Sequence, residues 1–333
     1  MSALHQDFLP RAAAGPILGV SAAMQEVFRL IERVGPTEAG VLLTGESGSG
    51  KELVAQSIHD RSLRRAGPFL AINCGAIPSG LIEAELFGYE KGSFTGAVRG
   101  HAGVFERAEG GTLLLDEITE MPLDMQTRLL RVIETRKFYR VGASLELSTD
   151  VRVIAASNRC PLQAVQSGQL REDLLYRLAV FPIELPPLRS RGNDVDLLAE
   201  HFLDELNAQS GTRKQFTPHS RMTLKQHSWP GNVRELRNCI ERAFILGDQM
   251  LELAPLIQAG ASPKAAESPD DRRLEIRVGS RIHDMERSLI EATLDYFHGN
   301  KRRAADALGC SLKTLYNKLN GYSQSPQSQC ASS

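Results

Sequence analysis

The chain has 333 residues, 42% of them hydrophobic and 24% charged, with a formal net charge of −1. That balance suits a soluble protein with ample core and excludes whole-molecule attraction to nucleic acid, so any DNA-reading role must sit in a local basic patch. No apolar run approaches the roughly twenty residues of a membrane span, the start MSALHQDFLPRAAAGP lacks a secretory pattern, and five scattered cysteines argue for reduced thiols in a cytoplasmic setting and against zinc.

Residues 1–16 read as a short arm. From 17 to 185, short apolar runs alternate with helical periodicity. Strands are predicted over 41–43, 69–72, 112–115 and 151–156, with a helix over 52–62. This alternation predicts an α/β fold, a mainly parallel sheet covered on both faces. After Leu185-Pro186-Pro187 the strand signals stop, and helices over 194–209, 217–227 and 232–246 predict a helical lid spanning 186–250. Residues 251–280 read as a linker, rich in Ala, Ser, Pro and charge from 258 onward. Residues 281–322 are helical again, 323–333 form a polar tail, and no internal repeat is visible.

The segment Gly45-Glu46-Ser47-Gly48-Ser49-Gly50-Lys51-Glu52 fits GxxxxGK between a strand and a helix. Its glycines let backbone N–H groups turn inward around phosphates, the helix start adds a favourable dipole, and Lys51 reaches the β- and γ-phosphates. The alternative is a ligand-free glycine turn. Glu52 stands where a Ser or Thr usually supplies a magnesium ligand. The run Gly110-Gly111-Thr112-Leu113-Leu114-Leu115-Asp116-Glu117 is an apolar strand ending in two acids, at the carboxyl edge of the sheet beside the phosphates. There Asp116 would hold Mg²⁺ and Glu117 would polarise the attacking water; standing alone, such a pair is a solvated edge. Ser157-Asn158 ends another strand and is open to two readings, a γ-phosphate sensor or a plain turn. Arg171, Arg177 and Arg234 are either surface ion-pair residues or, in a ring of subunits, arginines that stabilise a neighbour's transition state. Gly92-Ser93-Phe94-Thr95-Gly96-Ala97 frames an aromatic and a hydroxyl between glycines, as suits a mobile tip that presses on a partner.

Residues 300–319 carry the spacing of a helix-turn-helix: Ala305 is small enough for close helix crossing, Gly309 permits the turn, Ser311 caps a second helix and Leu315 plugs it down. Lys301, Arg302, Arg303, Lys313 and Lys318 stand against Asp306 alone, which gives a local charge of about +4. A recognition helix over 312–319 would present Ser311, Lys313, Thr314 and Asn317 to bases or phosphates. An ordinary helical hairpin with a solvated basic face is the alternative.

Taken together, GESGSGKE (45–52), ELFGYEKGSFTGA (85–97), GGTLLLDEI (110–118), REDLLYRL (171–178), LPPLRSR (185–191) and WPGNVREL (229–236) resemble the bacterial enhancer-binding proteins, the NtrC-like AAA+ ATPases that activate sigma-54 RNA polymerase. The resemblance covers about 17–250 and resumes in a Fis-type C-terminal domain. It implies an AAA+ domain over 17–250 (α/β part 17–185, lid 186–250), ATP and Mg²⁺ as cofactors, and Lys51, Asp116 and Glu117 in the roles above, with Glu52 as the family's own residue. It further implies that Asn73 contacts and switches the catalytic glutamate, that Ser157-Asn158 is sensor I, that Arg171 and Arg177 are inter-subunit fingers, and that Arg234 is sensor II. Phe94 and Thr95 match the sigma-contacting tip, with Ser93 replacing the usual alanine of GAFTGA. The implied partners are sigma-54 holoenzyme, double-stranded enhancer DNA, and further copies from dimer to hexamer or a paralogue in a mixed ring, with no membrane. A helix over 282–297 would pair two DNA readers. Sixteen residues do not encode the receiver or sensing domain of many relatives, so control is expected from a separate partner, from expression level, or from neither. A regulator that keeps the fold without remodelling, and a general AAA+ unfoldase or loader, are the competing readings; the intact Phe-Thr tip and the Fis-like end argue against them.

Overall fold

A computed structural model describes residues 13–14, 17–94, 97–253, 282–296 and 301–323. They fall into two compact units, divided at Gly260. The first two strands, β1 (Ala13–Ala14) and β2 (Ile17–Leu18), form a short antiparallel ladder. The main sheet comprises β3 (Val41–Thr44), β4 (Phe69–Asn73), β5 (Thr112–Asp116), β8 (Arg152–Ser157) and β9 (Phe181–Glu184), in the spatial order β4-β5-β8-β3-β9. Every pairing is parallel.

Burial on both faces follows from the period-two alternation of each strand. Leu42, Leu113, Leu115 and Ala155 pack into one core with α3 (Ile82–Phe87), α4 (Val104–Arg107), α5 (Leu123–Thr135) and α7 (Glu172–Leu178). Val41, Leu43, Leu114, Ile154 and Ala156 face the other way, against α1 (Ala22–Val34) and α2 (Lys51–Asp60). The short helix α6 (Pro161–Gln166) lies between β8 and α7 in sequence. Register then brings the strand ends together, because Asn73 lies opposite Asp116 and Thr44 lies opposite both Ser157 and Glu184. The polar residues that close the apolar runs therefore collect along one edge.

Several strands depart from the sequence expectation. The edge strand β9 reads Phe-Pro-Ile-Glu, and a proline is admissible there because an edge strand has one unpaired side. A hairpin of β6 (Lys137–Tyr139) and β7 (Glu146–Ser148) fills the stretch between α5 and β8.

The lid consists of α8 (Asp194–Ser210), α9 (Pro218–Gln226) and α10 (Asn232–Leu246). It also contains a parallel pair, β10 (Gln215–Phe216) with β11 (Met250–Leu251), although strand signals end at Leu185 in the sequence. Leu251 and Leu253 join Trp229, Leu236 and Ile240 in the lid core, so the packed lid runs a few residues past 250. The buried Asp194 ties the lid to the start of α1 by accepting from Val20 N (2.7 Å), Ser21 N (3.0 Å) and Ser21 Oγ (2.7 Å). The linker expected over 251–280 lies, from 254 on, outside the described residues, as do most of the arm and the tail.

The second unit holds α11 (Ile282–Tyr296), α12 (Lys301–Ala307) and α13 (Leu312–Ser323). Ile290, Ala304, Ala305 and Leu315 form its buried centre. Gly309 has φ +63°, a left-handed turn between α12 and α13 that costs glycine least. Among the described residues no helix is long and apolar enough to cross a membrane.

Candidate functional site

The phosphate-loop candidate links β3 to α2, with Gly45, Gly48 and Gly50 all at positive φ. Lys51 is buried, and its Nζ donates to Gly45 O (2.8 Å) and Glu46 O (3.2 Å). Burial lowers its pKa, while the fields of Asp116 and Glu117 act in the opposite sense and favour its charge. Ser49 Oγ is buried with no hydrogen-bond partner, and Glu52 is exposed in the first turn of α2. Ser47 Oγ accepts from Arg234 NH1 at 3.0 Å, so the lid arginine reaches the loop.

Asp116 closes β5, and its Oδ1 accepts from Glu117 N (3.0 Å). Glu117 itself has φ 52° and ψ 48°, a left-handed conformation that is strained for a side-chain-bearing residue and is held by its surroundings. This twist carries the Glu117 carboxylate over Gly75, where a Cβ would lie 2.9 Å from Oε2. Asn73 lies on the same side of Gly75, its Oδ1 3.4 Å from that Cβ position and accepting from Gly75 N (2.9 Å) and Ala76 N (3.0 Å). Asn73 and Glu117 are thus neighbours over one glycine, with no hydrogen bond joining their side chains. Asp116 and Glu117 offer carboxylate oxygens at this edge, a chemistry that fits Mg²⁺ with phosphate oxygens and water completing its shell. The described residues contain no cluster of three or more His, Cys, Asp or Glu that could hold a metal ion without such help.

Ser157 is buried, and its hydroxyl closes a turn by donating to Arg159 O (3.0 Å) and accepting from Arg159 N (3.1 Å). Asn158, exposed beside it, is the member of the pair that faces solvent at the sheet edge. Arg171, the N-cap of α7, is exposed and paired with Asp173 (2.7 Å). Arg177 belongs to the opposite edge. Its backbone abuts Gly40, the residue before β3, and it helps line a cavity of about 210 Å³ with Glu38, Arg136 and Val180. One strand length, about 13 Å for four residues, separates that edge from the phosphate loop.

The 92–97 segment lies between α3 and α4. Gly92 N donates to Ala97 O (2.9 Å), Ser93 N to Glu90 O (3.2 Å) and Ala97 N to Phe94 O (3.1 Å), which closes the base of the loop. The half-exposed Phe94 ring meets Tyr89 edge-on at 4.9 Å. Thr95 and Gly96 lie outside the described residues. Arg140 fastens the base by binding Glu90 (2.9 Å) and Glu106 (2.6 Å), and it holds the Glu106 carboxyl below its ordinary pKa.

In the second unit Lys301, Arg302, Arg303, Ser311, Lys313 and Thr314 are exposed. Ser311 Oγ accepts from Thr314 N (3.1 Å) and caps α13. Lys318 pairs with Glu286 on α11 and so ties the first helix to the third. The side chain of Asn317 is outside what the structure describes.

Residues 17–184 match the Sigma-54 interaction domain, 189–272 the AAA+ ATPase lid domain, and 281–322 the bacterial regulatory proteins of the Fis family. The chain belongs to the sigma-54 interaction family. It is similar to the transcriptional regulatory protein FlbD of Caulobacter vibrioides, 44% identical across 97% of this chain and 72% of FlbD. It is 44% identical to the transcriptional regulator NtrC of Azospirillum brasilense, over 91% of this chain and 69% of NtrC. Among solved structures, NtrX of Brucella abortus in complex with ATP superposes with a TM-score of 0.68 at 35% identity, covering 92% of this chain and 69% of NtrX. Membership makes this chain a sigma-54-dependent transcriptional activator with a nucleotide-binding AAA+ ATPase domain and a DNA-binding helix-turn-helix.

Sequence reasoning assigned no role to Arg189, Arg191, Asn232 or Arg140. The first three stand inside the motifs LPPLRSR and WPGNVREL, so the signal was their company.

Proposed function

We propose that this activator works in the cytoplasm as a ring of subunits on enhancer DNA, and that ATP hydrolysed between neighbours drives the 92–97 loops against sigma-54 to open the promoter complex. The observation that carries this reading is the split of charged groups between the two sheet edges. Lys51, Asp116, Glu117 and Arg234 share one edge, and Arg177 lies a strand length away at the other. An arginine so placed cannot serve its own chain's phosphates, but it fits the open side of a neighbour's.

In this reading the loop amides and Lys51 bind the phosphates, Asp116 holds Mg²⁺, and Glu117 orients and deprotonates the attacking water. Mg²⁺ held by Asp116 would, when bound, supply positive charge that offsets the negative charge developing on the phosphates. Asn158 and Arg234 sense the γ-phosphate, with Ser157 setting the turn, and Arg171 and Arg177 act on the adjacent subunit. Asn73, one glycine from Glu117, links the γ-phosphate to the loop. The basic face of α12 and α13 binds phosphates and bases, and α11 pairs two readers. The ring is of identical subunits or mixed with a paralogue, and a trans-acting regulatory protein is a further partner in this reading.

The test is open-complex formation by sigma-54 polymerase on a supercoiled template, with ATPase rate measured in parallel. Glu117→Gln should retain ATP binding and lose hydrolysis by about 10²–10⁴-fold, the usual worth of a positioned general base. Thr95→Ala should hydrolyse ATP without opening the promoter. Wild-type hydrolysis that never opens a promoter would overturn the remodelling reading and favour a regulator that has lost it.

A further inference from the structure

The lid holds the phosphate loop by its carbonyls. Asn232 Nδ2 donates to Ser47 O (3.1 Å), Val233 N to Gly48 O (3.0 Å) and Arg191 NH2 to Ser49 O (2.7 Å). In a trans peptide the C=O of one residue and the N–H of the next point in opposite directions. Drawing these three carbonyls toward the lid therefore turns the amides of Gly48 and Gly50 away from it, while Ser49 N–H closes a turn on Glu46 O (3.3 Å). Contact is close enough that a Cβ on Gly48 would lie 2.4 Å from Gly231 O.

A second set of bonds holds the side chain of Glu46. Its carboxylate accepts two N–H groups of Arg189 (2.6 and 2.8 Å) and one from Asn232 Nδ2 (3.0 Å). The other end of the Asn232 amide accepts from Leu188 N (2.7 Å), so this fully buried side chain is satisfied at both ends. Asn232 also has φ 54°, a backbone state that asparagine, aspartate and glycine tolerate best. Glu46 thus belongs to the loop in sequence but directs its charge to the lid, away from the face where phosphates would sit.

We propose that Arg189, Arg191 and Asn232 are positioning residues that preset the phosphate loop from the lid, with Glu46 as the anchor they grip. The claim rests on reading 45–51 as the ATP phosphate loop. Lid orientation then sets phosphate affinity directly, through loop geometry and through the place of one negative charge. Release of Glu46 would loosen the cradle and free a carboxylate to repel the incoming phosphates. The contribution is to binding, so it belongs in KM and Kd more than in kcat.

The experiment uses the full chain, with a fluorescent ADP analogue for Kd and steady-state ATPase for KM and kcat. Asn232→Asp keeps the backbone conformation and the acceptor for Leu188 N, but it loses both donated bonds and sets a carboxylate against Glu46. It should raise Kd and KM about tenfold or more, the worth of hydrogen bonds to a charged group, with kcat changed by less than about threefold. Combining it with Glu46→Gln restores a donor–acceptor pair in reverse and should recover most of the lost affinity. Arg189→Ala, at an exposed side chain, should raise KM in the same direction with only a small drop in melting temperature. Normal affinity in Asn232→Asp or Arg189→Ala, or a double variant no better than the single, overturns the proposal. Absence of nucleotide binding by wild type, or binding untouched by Lys51→Ala, would instead sink the reading of the loop on which it rests.

Discussion

Two glycine-framed loops of the same domain are restrained in opposite ways. In the phosphate loop, the carbonyls of Ser47, Gly48 and Ser49 are each taken by a lid donor and Glu46 is gripped three times over. Among the described residues of the 92–97 segment, three backbone bonds close the base, one ring contact steadies Phe94, and Ser93 Oγ is buried without a partner. The difference follows the work proposed for each loop. A site that binds a multiply charged anion gains from dipoles fixed in advance, since none of the binding energy is then spent on ordering them. In the proposed cycle, a tip that leaves its seat on each turnover gains from a seat with few ties.

The largest expected effect comes from breaking the tight side of this contrast. Gly48 has φ +75° and no room for a Cβ against Gly231 O. Gly48→Ala forces a left-handed alanine, at about 1–2 kcal/mol, and drives the lid backbone off the loop besides. ATP affinity should fall more than tenfold, about 1.4 kcal/mol or greater, as read by titration with the fluorescent analogue. The stability loss should exceed that strain, because the displaced lid contact adds to it. An affinity within twofold of wild type would mean that the loop binds phosphate independently of the lid.

A smaller effect is expected on the loose side. Ser93 packs where a Cβ on Gly142 would lie 2.8 Å from its own Cβ, against the β6–β7 turn from which Arg140 fastens the base of the loop. Its hydroxyl gains nothing there and costs about 1 kcal/mol in lost hydration. Ser93→Ala should therefore slow amide exchange across 90–97 by about fivefold, the factor that a 1 kcal/mol stabilisation gives. Exchange that is unchanged or faster would show that the hydroxyl is satisfied in solution.

What the sequence displayed, and what it hid, follows the range of each interaction. The strands over 41–44, 69–73, 112–116 and 152–157 were legible because parallel strands buried on both faces read as continuous apolar runs. Once the strands were placed, their polar terminal residues had to gather at one edge, and the pairing of Asn73 with Asp116 is that geometry. β9 was not legible, because Pro182 interrupts a four-residue run that only its neighbour β3 makes a strand. The hairpin of β6 and β7 hid for a similar reason, with exposed Lys137 and Tyr139 flanking one buried Phe138. The lid ties were the least legible. Arg189 meets Glu46 across 143 residues of sequence, and Asn232 meets it across 186, so no local pattern encodes either.

The smallest effect concerns pH, and its sign separates a latch from a titrating switch. Hydrogen bonds from Arg189, then from Asn232, hold the Glu46 carboxyl at a pKa of about 2. A carboxyl depressed on folding stabilises the native state above its unfolded value, about 4.3, and loses that contribution as pH falls from there toward the folded value. Between pH 6 and 9 the latch is fully ionised and cannot contribute to any pH dependence. The melting-temperature gap between wild type and Glu46→Gln should therefore stay constant from pH 9 to 6 and narrow only below about pH 4.5. Because the pair is partly exposed, solvent screens it and the gap itself should be small. A gap that opened or closed between pH 6 and 8 would place a second titrating group in contact with Glu46 and remove the reason for treating its charge as a fixed anchor.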